Sequence, residues 1–323
     1  MKFAKMHGLG NNYIYFNCFE ERISLEQMPE IARYVADKNF GIGSDGAIFI
    51  CPSDIGDAEM RIYNADGSYA QMCGNGIRCV AKYMYDMCLV DKTELFIMSG
   101  GEMKVLTLYT DIEKPNPVTG KMFTKRHDGR CVTSVTVDMG APIFEMEKVP
   151  VAIPENELVE CKSVPGMIGN HGLTEIEQAD GSFVKGLKQH PITVDGVKYN
   201  TTCISMGNPH SVIFVKDVKG LDLVKMGPSF ENHPYFPERT NTEFVKVIDR
   251  NNVEMRVYER GSAETFACGT GATATAIAAI VNGYTDKEVT VHLLGGDLLI
   301  KWDEKTNHAF MTGPAAFVCE GEI

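Results

Sequence analysis

Two cysteines are marked by what surrounds them. Cys73 lies in Gln71-Met72-Cys73-Gly74-Asn75-Gly76, and Cys268 in Phe266-Ala267-Cys268-Gly269-Thr270-Gly271. In each, a thiol meets a Gly-x-Gly turn that opens a helical pattern. Ile77, Val80, Ala81, Met84 and Met87 follow the first at helical spacing. The nearly all-apolar run Ala272 to Val281, stopped by Asn282-Gly283, follows the second and reads as a buried helix. Small residues let the backbone turn tightly, and the first N–H groups of a helix have no acceptor within it. Such a start attracts anions, so it can hold a carboxylate or favour a thiolate. A thiolate can act as a general base and a thiol as a general acid. Placed on opposite faces of a tetrahedral carbon, the pair would remove a proton from one face and return one to the other. That inverts a stereocentre without a cofactor, while the turn amides stabilise charge on a substrate carboxylate.

Other chemistries fit less well. Gly74-Asn75-Gly76 lacks the lysine of a P-loop, and no Rossmann spacing with a distal acid is present. No lysine sits in a comparable motif, so nothing suggests pyridoxal phosphate. No Cys-x-x-Cys pair points to zinc, and no metal is expected. A cysteine is ordinarily a small core hydrophobe, and Cys18, Cys51, Cys79, Cys88, Cys131, Cys161, Cys203 and Cys319 are read that way. A redox thiol switch between Cys73 and Cys268 is a competing reading, because facing thiols can oxidise.

The elements that must carry the cysteines are duplicated. Glu59-Met60-Arg61-Ile62-Tyr63 precedes the first and Glu254-Met255-Arg256-Val257-Tyr258 the second. Glu254 and Cys268 each follow their counterparts by 195 residues. Gly10-Asn11 before Tyr13–Phe16 is echoed by Gly207-Asn208 before Val212–Val215. A repeat this long records duplication of a structural unit. The chain therefore reads as α+β, with two pseudo-symmetric domains. Each is a mostly antiparallel sheet around a central helix, with the active site in the cleft between them. The N-terminal domain is expected over 1–131, with a C-terminal strand at about 312–323 returning to it, and the C-terminal domain over 132–311.

Finer expectations follow from local pattern. Ser24 and Gln27 read as a capping box before a helix with Leu25, Met28, Ile31, Ala32 and Val35 on one face. Asp111–Arg130, broken by prolines and glycines, reads as a surface loop or hairpin tip. Val132–Asp138 reads as the strand that opens the second domain. Glu155–Pro191 is the least legible part and reads as short strands in long loops. Leu221–Met226 reads as a short helix.

Composition bounds the setting. The 323 residues suffice for two domains with separate cores. A formal net charge of −12 argues against nucleic acid or anionic membrane as partner. No run approaches the ~18 apolar residues of a membrane helix. The start shows no signal-peptide pattern, and the ten cysteines are spread without a framework. Reduced thiols in the cytoplasm are therefore expected.

The motifs resemble a known family. Cys-Gly-Asn-Gly-Ile-Arg-Cys at 73–79, Met-Gly-Asn-Pro-His at 206–210, Tyr-Glu-Arg-Gly at 258–261 and Ala-Cys-Gly-Thr-Gly-Ala at 267–272 are similar to those of the diaminopimelate epimerases. So are His7-Gly8-Leu9-Gly10-Asn11 and Thr240-Asn241-Thr242-Glu243. The six motifs span both halves in the right order. The resemblance implies a cofactor-independent isomerase that interconverts LL- and meso-diaminopimelate, a small-molecule amino-acid substrate of lysine and peptidoglycan precursor biosynthesis. It also implies a homodimer. Carried over by position, Cys73 and Cys268 would be the acid/base pair. Gly74, Asn75, Gly269 and Thr270 would hold the reacting carboxylate, and Glu259 the ammonium. Asn11, Asn64, Asn208, Asn241 and Arg260 would grip the substrate, with His210 nearby. Ser44 stands where many members carry glutamine, so that contact would be absent or supplied otherwise. Relatives with the same cysteine pair racemise histidine, proline or hydroxyproline, and a sibling racemase is the alternative reading.

Overall fold

The structure, a computed structural model, describes residues 1–160, 162–163 and 170–323. Cys161, expected in the core, and Gly166 and Gly169 of the least legible stretch lie outside the described residues. The chain divides into two compact units, Met1–Asp138 with Thr312–Ile323, and Met139–Met311.

The first unit begins with the hairpin β1 (Lys2–Gly8) and β2 (Asn11–Asn17). Its two-residue turn, Leu9-Gly10, has φ of 57° and 88°, the positive values whose twist suits a tight hairpin. Helix α1 (Met28–Ala36) crosses to β3 (Gly46–Cys51), parallel to β2. β4 (Ala58–Asn64) pairs antiparallel with β3 and with the short β5 (Tyr69–Ala70). Helix α2 (Gly74–Asp86) crosses to β6 (Glu94–Ser99), parallel to β4. β7 (Glu102–Ile112) and β8 (Arg130–Asp138) extend the sheet antiparallel.

The second unit opens with a small sheet of β9 (Lys162–Ser163), β10 (Asn170–Glu177) and β11 (Phe183–Lys188), then β12 (His190–Val194). From there it repeats the first unit. The hairpin β13 (Val197–Ser205) and β14 (Pro209–Phe214) leads through α3 (Leu223–Glu231) to β15 (Asn241–Asp249), parallel to β14. β16 (Asn252–Glu259) pairs antiparallel with β15 and with the short β17 (Ala263–Thr265). Helix α4 (Gly269–Val281) crosses to β18 (Glu288–Leu293), parallel to β16, and β19 (Gly296–Trp302) follows antiparallel. β20 (Ala309–Gly313) comes next, and β21 (Ala316–Glu322) pairs antiparallel with β1, so the chain end returns to the first unit. The fold is α+β, and each cysteine motif opens the second crossover helix of its unit.

The two central helices are held differently. α4 lies among β13, β14, β15, β16, β18 and β19, so an apolar surface all round is what its surroundings require. Thr273 satisfies its buried hydroxyl within the helix, on Gly269 O at 2.9 Å. α2 carries buried charge instead. Lys82 Nζ donates to Asp86 and to Val132 O, both at 2.7 Å, and Asp86 Oδ1 accepts the Val132 N–H at 2.9 Å. Buried charges are tolerated when paired and hydrogen-bonded in this way. These bonds clamp β8 onto α2. Val132–Asp138, expected to open the second domain, therefore lies in the first unit, and the division falls after Asp138 rather than at 131/132.

Other expectations are also corrected. Gln27 Oε1 does accept the Ser24 N–H at 2.9 Å, but the helix starts only at Met28, with Pro29 in its first turn, and Leu25 is exposed. α3 starts at Leu223, where Asp222 caps the Lys225 N–H, and runs on to Glu231 despite Pro228. The loop after β7 folds back: Glu113 accepts the amides of Phe123 and Thr124, and Phe123 stacks on Phe317 at 5.2 Å. The least legible stretch holds the regular antiparallel pair β10–β11. Its pattern is faint because the buried Thr174 is polar and Gly186 has no side chain; a Cβ there would stand 2.8 Å from Phe144 Cβ. Cys51, Cys79, Cys131 and Cys203 are buried as expected, Cys18 and Cys319 only partly. Cys88 is exposed, at φ 61°, just past the end of α2.

Candidate active site

In the first unit Cys73 is the N-cap of α2. Its extended backbone, φ −141° and ψ 107°, turns the side chain back over the first turn, where Sγ accepts the Gly76 N–H at 3.3 Å. The hairpin turn at Leu9-Gly10 brings Asn11 to the same place. Asn11 Oδ1 lies 3.3 Å from Cys73 Sγ and accepts from Asn75 Nδ2 at 3.4 Å. Asn11 Nδ2 donates to Asp45 Oδ2 at 2.9 Å. The structure thus gathers Asn11 and Asn75 on Cys73. Asn64 is engaged nearer home, donating to Ser68 Oγ at 3.0 Å, and Ser44 donates to Gly46 O at 2.8 Å.

In the second unit Cys268 caps α4 in the same way, accepting the Gly271 N–H at 3.4 Å, with Thr270 Oγ1 at 3.5 Å. β14 and β15 deliver a buried pair close by. His210 Nδ1 meets Glu243 Oε1 at 2.7 Å, and His210 Nε2 faces Asn208 Oδ1 at 3.0 Å. Both side chains are fully buried, and Glu243 Oε2 has no hydrogen-bond partner among the described residues. Gly271 makes room for this pair: a Cβ there would stand 2.7 Å from Glu243 Oε1 and 3.2 Å from Cys268 Sγ. Glu259 accepts a hydrogen bond from Thr265 Oγ1. Asn241 accepts the Arg260 N–H at 2.9 Å and donates to Pro209 O at 2.8 Å, and the Arg260 guanidinium donates to Glu238 O at 3.0 Å.

A helix start alone favours a thiolate, but the surroundings of Cys268 act the other way. Burial, then the Glu259 and Glu243 carboxylates, push its thiol well above the usual range, against the weaker pull of Thr270 and the Gly271 amide. Burial also raises the Glu243 carboxyl, with His210 opposing. Burial and the nearby carboxylates both favour the protonated thiol of Cys268 over the thiolate. Three residues that the sequence did not single out belong to these surroundings: Glu243, Asp45 and Arg78. Two carried a signal. Arg78 interrupts the apolar face Ile77, Val80, Ala81, and Glu243 is a charge heading the otherwise apolar Phe244, Val245.

A duplicated α+β unit with a cysteine-capped central helix defines the class, and solved structures share the fold. A hydroxyproline epimerase from Agrobacterium vitis superposes with a TM-score of 0.60 at 13% identity, covering 99% of this chain and 91% of that one. A Bacillus anthracis phenazine biosynthesis protein of the PhzF family gives 0.58 at 16%, covering 100% and 98%. Within that class, the sequence profile described as diaminopimelate epimerase matches residues 3–122 and 202–318. Diaminopimelate epimerases from Agathobacter rectalis and Acetivibrio thermocellus are 49% and 44% identical over all of this chain and 99% and 98% of theirs. One from Methanococcus maripaludis is 43% identical over 100% of this chain and 99% of its own. The chain belongs to the diaminopimelate epimerase family.

Proposed function

We propose that this protein inverts the α-carbon of diaminopimelate, interconverting the LL and meso forms, and that Cys73 and Cys268 are its two acid/base groups. The observation that carries the reading is the duplicated cap. In a member of this family, two thiols each accept the amide three residues on, at 3.3 and 3.4 Å, at the start of equivalent helices. The backbone groups of Gly74, Asn75, Gly269 and Thr270 supply the helix-start dipoles that would hold the reacting carboxylate and the charge that builds on it. With Cys268 held as a thiol, it returns a proton to the carbanion-like carbon while Cys73, as thiolate, removes one from the other face. The reverse direction needs Cys268 to lose its proton, and the buried carboxyl of Glu243, bonded to His210, is the acceptor at hand. Glu259 would take the substrate ammonium. Asn64, Asn208, Asn241 and Arg260 would engage the rest of the substrate, with Arg260's planar fork suited to the distal carboxylate. His210 acts on Cys268 through Glu243, and Ser44 orders the loop that carries Asp45. The reaction needs no cofactor. We place it in the cytoplasm and read the protein as a homodimer, on the family likeness alone.

The test is proton exchange in heavy water. Diaminopimelate should acquire deuterium at its α-carbon and reach a diastereomer mixture, while lysine, histidine and proline exchange far more slowly. Cys73→Ala and Cys268→Ala should each lower the rate by ~10²–10⁴-fold or more. Equal exchange of histidine or proline would replace this reading with a sibling racemase. No exchange in any amino acid, with a reversible disulfide between the two cysteines, would replace it with a thiol switch.

A further inference from the structure

Arg78 and Asp45 stand at the two ends of one hydrogen-bond chain in the first unit. The fully buried Arg78 donates from Nη2 to Asn75 Oδ1 at 2.8 Å, from Nη1 to Gly74 O at 3.0 Å and from Nε to Pro314 O at 3.2 Å. A guanidinium has donors only, so Asn75 must turn its oxygen toward Arg78 and its NH2 away. That NH2 lies 3.4 Å from Asn11 Oδ1. At the other end Asp45 Oδ2 accepts from Asn11 Nδ2 at 2.9 Å and from the Asn12 N–H at 2.7 Å. A carboxylate has acceptors only, so Asn11 must turn its NH2 toward Asp45. Both ends therefore demand the same orientation of the Asn11 amide. Its oxygen is left facing Cys73 Sγ at 3.3 Å, where it can accept from an S–H and has nothing to give a thiolate. Gly8 keeps the chain tight: a Cβ there would stand 3.0 Å from both Arg78 Nη2 and Asn75 Cβ.

We infer that Arg78 and Asp45 are positioning residues for Cys73, fixing the Asn11 amide from opposite ends so that its oxygen, not its nitrogen, meets the thiol. Resting Cys73 is thereby held as an S–H whose proton has a defined direction. The thiolate becomes favoured only when substrate displaces that contact, so the base is made where it is used. Tyr15 and Cys79 also face Cys73; both are fully buried, burial pushes both up (Cys79 to about 11), and both are neutral near neutral pH. The charged groups along the chain are Arg78 and Asp45 themselves. The inference rests on Cys73 being a reacting thiol.

The pH dependence of Cys73 alkylation by iodoacetamide, read by peptide mass spectrometry, tests it without substrate or turnover. A failure of the epimerase reading, seen in proton exchange, is thus a separate result. In Arg78→Gln and in Asp45→Asn one of the two constraints is lost, so the remaining end alone holds the Asn11 amide and its NH2 spends part of the time turned to the thiolate. The midpoint should fall by about one pH unit in both. Arg78→Lys, still a donor only, should stay near the wild-type midpoint. If the two charges acted merely through space, loss of the cation would raise the midpoint and loss of the anion would lower it. Opposite shifts in Arg78→Gln and Asp45→Asn therefore overturn the inference, as does an unchanged midpoint in both. Should Arg78→Gln fail to fold, Gly8→Ala decides. It keeps both charges but displaces the Arg78 fork, so a lowered midpoint supports the clamp and an unchanged one rejects it.

Discussion

At the scale of single residues, Cys268 shows how context overrides a local rule. The helix start favours a thiolate, yet burial and two nearby carboxylates outweigh it. Removing one of those carboxylates must make ionisation easier. In Glu243→Gln the midpoint for alkylation of Cys268 should fall toward the ordinary thiol value of about 8.5, while that of Cys73 stays put. Epimerisation should fall at the same time, because the amide cannot take the thiol's proton. A midpoint that does not move would show that Glu243 leaves Cys268 alone. The cysteines themselves were legible, because a thiol in a Gly-x-Gly turn, twice, is a pattern with a chemical reason. Glu243, Asp45 and Arg78 were less so. Asp45 in Gly43-Ser44-Asp45-Gly46 reads like any polar loop residue, and only the fold sets it against Asn11.

At the scale of elements, the two cysteine helices share a beginning but not its surroundings. A Cβ on Gly76 would meet Ile48 Cδ1 at 2.5 Å, the free end of an apolar side chain. A Cβ on Gly271 would meet Glu243 Oε1 at 2.7 Å, in a fully buried pair with His210. Alanine is the better helix former by about 1 kcal/mol, which offsets part of the strain at either position. Gly76→Ala should therefore keep much of its activity, since a methyl end can move. Gly271→Ala should lose at least tenfold in kcat with little change in Tm, because Glu243 and Cys268 must part. Comparable kcat values for the two variants would contradict this. The repeat made the paired hairpins and helices readable, since both copies show the same order of turn, strand and helix. β8 was misassigned because its tie to α2 runs through Lys82 and Asp86, a tertiary pairing that alternation along Val132–Asp138 does not encode. The β10–β11 pair stayed hidden because Thr174 and Gly186 occupy positions where an apolar alternation would have shown.

At the scale of the whole molecule, the first unit is closed by the last residues of the chain. β21 covers the edge of β1 from Lys2 to His7. Phe317 on β21 stacks with Phe123, and Lys82 Nζ lies 5.6 Å from its ring centre. Pro314 O accepts from the buried Arg78. Removing residues 314–323 would expose a strand edge, strip an aromatic contact from α2 and leave a buried guanidinium donor without that acceptor, the last alone a cost of about 1–3 kcal/mol. The second unit has its own core, in which Phe230, Phe244 and Tyr258 pack with Leu187, Ile192 and Ile213. The truncated chain should thus lose hydrogen-exchange protection in β1, β2 and α2 while α4 and β15 keep theirs, and Cys73 should become open to alkylation at neutral pH. Protection lost equally in α4 would mean that the second unit cannot hold its fold without the first. Protection kept in β1 and α2 would mean that the terminal strand is only an appendage.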